Sequence, residues 1–473
     1  MLDRFIAGMV LDISPDTINY QVEVSINLLE DLKAPLDEVR AHAVMKLKQI
    51  SYNLREHLDK KVITGLVKAL KKVDDELKID IIIALGFTRE AKVLPILRKF
   101  LLESEDFEIK RAAAFAIGEM KFRGPVSALI EALKFDDEQL HLFIIDALSK
   151  INDKNCAANL IEACKPLSQK VKFAACGLMC KFNFKEGYDF IKKALTHNSD
   201  EIKKEALKIA IEHPSDKFIE PVFKLLVDNK TPEIILMCID ALAQTGNESA
   251  ASYISPFLKN SDPLIRAATI DAFSRLNVSQ YSGEIIECLK DCDETVRANA
   301  ATALGTFKLV SVMPALIEIT DDQSEKVRIA VCTSIRTLAF WISDITDKNR
   351  VTYALMALLK DKCETVRSIA IETLGYLANP ESIDALIEAV NDDSLQVRQN
   401  TAAALGNFED TRISPILINM LDDQNVVIKW NAITSLTKLN EKNALSKIKE
   451  LTNDPDETIR LAAQSFLDNF LVH

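Results

Sequence analysis

Residues 291–305 read Asp291-Cys292-Asp293-Glu294-Thr295-Val296-Arg297-Ala298-Asn299-Ala300-Ala301-Thr302-Ala303-Leu304-Gly305. Val296, Ala300 and Leu304 fall on one helical stripe around Arg297, and Asp293 is the residue type whose side chain satisfies the free N–H groups of a helix start. The pattern recurs along the chain. Its basic marker, Arg297 here, is matched by Arg40, Lys78, Lys110, His141, Lys172, Lys203, Arg266, Arg328, Arg367, Arg398, Lys429 and Arg460, with Ile235 the apolar member of the column. Successive markers are 38, 32, 31, 31, 31, 32, 31, 31, 31, 39, 31, 31 and 31 residues apart. A fixed beat of this size means a stack of like supersecondary units.

The column four residues before the marker holds Asp, Ser, Thr or Asn in every copy except Leu36 and Cys363, and the next column is rich in Asp, Glu and Pro, as a first helical turn prefers. A helix is therefore expected to begin there in each unit. Gly stands eight after the marker at Gly86, Gly118, Gly305, Gly375 and Gly406, where a missing Cβ lets a neighbouring backbone come close. Upstream, segments such as Pro314-Ala-Leu-Ile, Pro415-Ile-Leu-Ile and Val93-Leu-Pro-Ile-Leu read as a second, preceding helix. Each unit is thus a two-helix hairpin, and the fold class is all-α.

The segment from Asp291 to Gly305 resembles the short bacterial HEAT-like repeat, of the kind also found in phycobilisome lyases, and the likeness runs in phase back to about Asp16. The resemblance implies an α-solenoid (superhelix) of about 14 two-helix repeats: a capping helix at 1–15, then a continuous array over 16–473 with insertions near 50–61 and 339–351. Such arrays are mostly binding scaffolds, and their shared motif residues are structural, so no functional residue carries over.

Composition suits a solenoid, with 48% hydrophobic residues and few Gly or Pro outside helix boundaries. The longest apolar runs, such as Phe5 to Leu11, fall far short of the roughly 18 residues that cross a bilayer. No membrane partner is expected. The nine Cys are an odd number, and several, such as Cys238 and Cys332, replace apolar residues of the repeat, which points to reduced thiols and a cytoplasmic location.

Catalytic and metal motifs are missing from the sequence. Cys156, Cys164, Cys176 and Cys180 share one repeat's length but form no close Cys-x-x-Cys pair. Deoxyhypusine hydroxylase, which resembles this architecture, binds iron through His-Glu pairs on helices, and none of the six His here is followed by Glu. No Gly-rich phosphate loop or nucleophile elbow appears. A non-enzyme without cofactor or metal is the expectation.

The ladder of markers could be mistaken for a nucleic-acid track. Six residues before the marker, however, the C-terminal half places Asp291, Asp322, Asp361, Asp392, Asp423 and Asp454, so each base is expected to pair with a carboxylate in the turn of its own repeat. Residues 1–235 hold 36 Lys and Arg against 37 Asp and Glu, and residues 236–473 hold 22 against 33. With a net charge of −12 and no basic stripe, nucleic acid is not the expected partner.

A protein partner fits best, because solenoids present extended surfaces. If the columns one and five after the marker point outward, the early repeats offer Met45, Ile79, Ile83, Phe115, Leu142 and Phe173, with Phe143 beside them. Trp430 is the late exception, and the second insertion adds Phe340-Trp341-Ile342. These residues read as an apolar groove for a partner, including a second copy of the chain, or alternatively as side chains buried between repeats. A chromophore-lyase-like accessory role and a nucleic-acid-binding role are the other functional readings.

Overall fold

The computed structural model describes residues 15–34, 37–54 and 58–471, so the expected capping helix at 1–15 lies almost wholly outside the described residues. Among the described residues there are helices and turns and no strand. A second helix starts three residues before each marker, from Asp37–Leu54 at Arg40 to Glu457–Leu471 at Arg460. Each is preceded by a first helix, as short as Met313–Ile317 and commonly entered through a single 3-10 turn such as Val310–Val312. The chain is an all-α solenoid of helical hairpins, divided into two compact units that meet in sequence at Pro221 and Val222.

The helix starts follow the cap chemistry. Asp74 accepts from Leu77 N at 2.9 Å, Asp137 from Leu140 N at 2.5 Å, and Asp293 from Thr295 N and Val296 N at 2.8 and 3.2 Å. Cys363 makes no such bond, and neither do the expected caps Ser199, Ser324 and Ser394. The Cys363 N–H is instead taken by Asp361 Oδ1 at 2.7 Å. The second insertion lengthens a first helix, Ile345–Leu358, to 14 residues.

Neighbouring hairpins pack through their second helices. A Cβ built on Gly86 would lie 2.5 Å from Ala116 Cα, one on Gly118 2.7 Å from Ala147 Cα, and one on Gly305 2.7 Å from Ser334 Cβ. The residue opposite each Gly is the small one six after the next marker. Helix backbones therefore touch where the sequence omits a side chain.

The marker ladder is real in the C-terminal unit, but its carboxylates come from the following repeat, which corrects the expectation of pairing within the repeat. Arg297 Nε and Nη2 donate to Asp322 Oδ2 and Oδ1 at 2.7 and 2.9 Å, while Nη1 donates to the main-chain oxygens of Asp291 and Cys292 in its own turn. Arg266 with Asp291, Arg328 with Asp361 and Arg367 with Asp392 repeat this fork, and Lys429 reaches Asp454 at 2.5 Å. Each Asp also accepts the N–H two residues on, as Asp322 does from Ser324 at 2.8 Å. One rung is open: Arg398 holds only the main-chain oxygens of Asp392 and Asp393, without the carboxylate of Asp423.

In the N-terminal unit the corresponding turn position carries no Asp. Phe135 stands there opposite Lys110, whose ammonium sits 3.7 Å from the ring centroid, and Arg111 forks onto Asp137 one helix start later. Ile83, Phe115 and Phe173 belong to this unit's interior, at 1%, 3% and 4% exposure. Phe115 meets Phe87 edge-on at 6.0 Å and lies under Lys150 Nζ at 4.8 Å, and Phe173 meets Phe190 at 5.4 Å. These three residues are core, which corrects their reading as an open groove.

The rungs tie stability to pH. The Arg297 guanidinium holds the Asp322 carboxyl below its ordinary 3.8 despite burial, and at Asp361 burial pushes upward but the Arg328 fork, the Cys363 N–H and the nearby Arg367 together bring the carboxyl below 3.8. A depressed folded pKa adds stability above pH 3.8 that is lost as pH falls through the lower folded values. Arg328→Ala should therefore cost about 2 kcal/mol, and Arg398→Ala less, because it breaks no carboxylate fork. Urea unfolding read between about pH 5 and pH 3 should also show a flatter acid loss for Arg328→Ala than for the unchanged chain. Phe115→Ser with Phe173→Ser should destabilise by about 3–5 kcal/mol per site, whereas Met45→Ser should melt within a degree or so of the unchanged chain.

Candidate interaction surface

With Ile83, Phe115 and Phe173 in the core, the early stripe keeps little open surface. Ile79, Leu142 and Phe143 are half-buried and pack against the same core, and Met45 alone of that set is well exposed, at 62%. A single exposed methionine is ordinary on a protein surface.

The late candidates behave differently. The helix Glu325–Ala339 ends at Phe340, and tight turns carry Trp341 N to Leu338 O at 2.9 Å and Ile342 N to Ala339 O at 3.3 Å. Phe340 and Trp341 are 60% and 55% exposed, and Ile345, at the start of the lengthened helix, is 65% exposed. Asp344 caps that helix through Thr346 N and Asp347 N, and these two backbone bonds hold its carboxyl below its usual range.

The next repeat supplies a residue that the sequence reading missed. Tyr376, nine after the marker Arg367, meets Phe340 at a tilt of 44° with centroids 4.0 Å apart and is 49% exposed. The preceding repeat contributes Lys308, whose ammonium lies 5.6 Å from the Trp341 ring. Arg336 bridges to Glu372 at 2.8 Å beneath them. Three exposed rings therefore gather where two consecutive second helices end, with Lys308 of the preceding repeat beside Trp341. The signal for Tyr376 was present in its column: the equivalent place in the following repeat is polar, Asn407, and bonds to Gly375 O at 3.0 Å.

Trp430 lies away from this cluster. It is 43% exposed, with Val427 one turn before it at 45% and Leu461, its counterpart one repeat later, at 65%. The helices Val426–Lys438 and Glu457–Leu471 that carry them pack side by side.

Among the described residues no three His, Cys, Asp or Glu side chains are placed to hold a metal ion, and no helix is long and apolar enough to cross a membrane. All nine Cys are unpaired thiols, eight of them buried. Burial pushes Cys238 and Cys332 up to about 12, so they remain neutral.

Comparison with known proteins agrees with this geometry. A family model described as HEAT repeats matches residues 97–175, 282–339, 333–403, 352–426 and 389–468, more than half of the chain. Human deoxyhypusine hydroxylase is 30% identical over 101 residues, which is 20% of this chain and 33% of that protein, and the Bos taurus enzyme matches over the same shares, also at 30%. The chain thus spans about a third of the length of these curated relatives. Among solved structures, Kap95p bound to RanGDP matches at a TM-score of 0.67 with 13% identity, covering 98% of this chain and 76% of that one. A Kap95:Nup1 complex matches at 0.65 with 13% identity and the same coverage, and yeast importin-β alone at 0.61 with 14% identity over 96% and 73%. At such identities the likeness is one of fold. With its repeats matched across more than half its length, the chain belongs to the HEAT-repeat family.

Proposed function

We propose that this protein is a non-catalytic scaffold that binds a partner protein, and that the partner docks on Phe340, Trp341, Ile345 and Tyr376. The observation that carries this reading is the exposed aromatic edge at the second of the two insertions that break the repeat. Aromatic side chains anchor protein interfaces because they bring large apolar area at low conformational cost. Trp430, Val427 and Leu461 form a second contact area on the same unit. Residues 236–473 hold 22 basic against 33 acidic side chains, which favours a partner segment with Lys or Arg around its apolar anchors. The fold neighbours support the scaffold role by analogy, since the Kap95p structures hold RanGDP and Nup1. The buried reduced thiols fit a cytoplasmic setting.

The test compares the full chain with the triple variant Phe340→Ser, Trp341→Ser, Tyr376→Ser. Immobilised on beads and exposed to native lysate, the unchanged chain should retain specific proteins that the variant loses, while both melt at nearly the same temperature. Sedimentation of the purified chain reads out the case in which the partner is a second copy. Retention of the same proteins by both forms would remove this edge from the interface.

A further inference from the structure

Clefts open beside markers that lack a carboxylate from the following repeat: about 760 Å³ at Lys78, 790 Å³ at Arg398 and 290 Å³ at Lys172. The Lys172 cleft differs from the others in its walls. Ile161, Cys164, Ala175, Cys176, Met179 and Phe190 form its apolar lining and Lys165, Gln169 and Glu186 join Lys172 in its polar one, and burial keeps its two thiols neutral, pushing Cys164 up to about 11 and Cys176 to about 12. It is a mostly apolar slot whose polar lining carries two lysines and one carboxylate, with Lys165 already paired to Glu162.

The Lys172 cation is exceptional among the markers. Lys78 and Lys203 bond to Asp75 and Asp200 in their own first turns, Lys110 lies over Phe135, and His141 reaches Phe135 O. Lys172, half-buried, makes no side-chain hydrogen bond or ion pair among the described residues, although its charge is felt at Cys164. The reason lies 25 residues on. Where the C-terminal unit presents Asp, as Asp291 to Arg266, this repeat presents His197. His197 performs only half of that aspartate's work: its Nδ1 accepts from Ser199 N at 3.0 Å, as Asp291 Oδ1 accepts from Asp293 N at 2.9 Å, but it brings no negative charge to the marker.

We propose that the cleft between the helices Ala157–Cys164 and Lys185–Leu195 binds a small amphiphilic carboxylate, its head completing the vacant rung on Lys172 and its apolar tail lying against Ile161, Met179 and Phe190. Complete rungs of this chain show that a marker cation at this place takes a carboxylate. The slot's apolar walls and its size, at the low end of small-molecule sites, select a single short chain over a folded partner.

Calorimetric titration of the full chain with decanoate, acetate and 1-decanol tests this. Decanoate should bind one to one and far more tightly than acetate, which lacks the tail. Lys172→Met should weaken decanoate about tenfold and leave decanol unchanged, since it removes a charged bond and keeps the stem. His197→Asp should rebuild the rung from within, raising the melting temperature and abolishing decanoate binding. Lys172→Met should melt like the unchanged chain, because its cation has no partner to lose. No decanoate binding to the unchanged chain, or equal affinity in both variants, would overturn the proposal.

Discussion

The approach of one second helix to the next is the constraint from which the rest of the molecule follows. A single hairpin cannot bury its apolar stripe, and stacking buries it only if adjacent helices come close enough to exclude water. Gly86 against Ala116 and Gly375 against Ala404 leave no space for a Cβ, and where the facing residue is Ser its hydroxyl bonds across, as Ser334 Oγ does to Ala301 O at 2.9 Å and Ser435 Oγ to Ala402 O at 2.7 Å. Asn299, Asn400 and Asn431 add amide bonds to main-chain oxygens of the preceding repeat. Once this spacing is set, the marker guanidinium spans to the next turn at hydrogen-bond distance.

The two units solve the same turn problem with different chemistry. In the C-terminal unit the rung is a charged fork. In the N-terminal unit Ser104, Phe135, Pro166 and His197 occupy the acceptor column, Arg111 forks onto Asp137 beside it, and Lys48–Asp80 and Lys150–Glu119 bridge neighbouring repeats further along the second helices. Such bridges at part-buried edges contribute modestly one by one. Packing of large side chains carries more of that unit, where Phe87, Phe115 and Phe173 are interior, while the column of Phe115, five after the marker, later includes Thr302, Thr333, Thr434 and Ser465.

Period, helix starts and the glycine contacts were legible because each is a local property of one repeat. The direction of the ion pairs was not. A carboxylate six before the marker and one 25 after it occupy the same column of a 31-residue repeat, so the sequence offers both partners and only the distance from a helix to its neighbour chooses between them. Depth was hidden for a related reason. A helical wheel gives the direction of Phe115 but not how far Phe87 and Lys150 reach over it from the flanking repeats. Phe340 and Trp341 could be read because an insertion breaks the period, whereas Tyr376 sits in an unbroken repeat and becomes part of the edge only through its 4.0 Å contact with Phe340.

The saturation of the rungs also bears on what the solenoid can recognise. Arg297 commits Nε and Nη2 to Asp322 and Nη1 to two main-chain oxygens, and Arg328 and Arg367 do the same. A phosphate arriving at such an arginine must first displace a carboxylate that is itself bonded to the backbone N–H at the next helix start, so it loosens the stack as it binds. Recognition without that cost is confined to surfaces the stack does not use: exposed rings where an insertion has outgrown the repeat, and markers whose carboxylate the next repeat fails to supply.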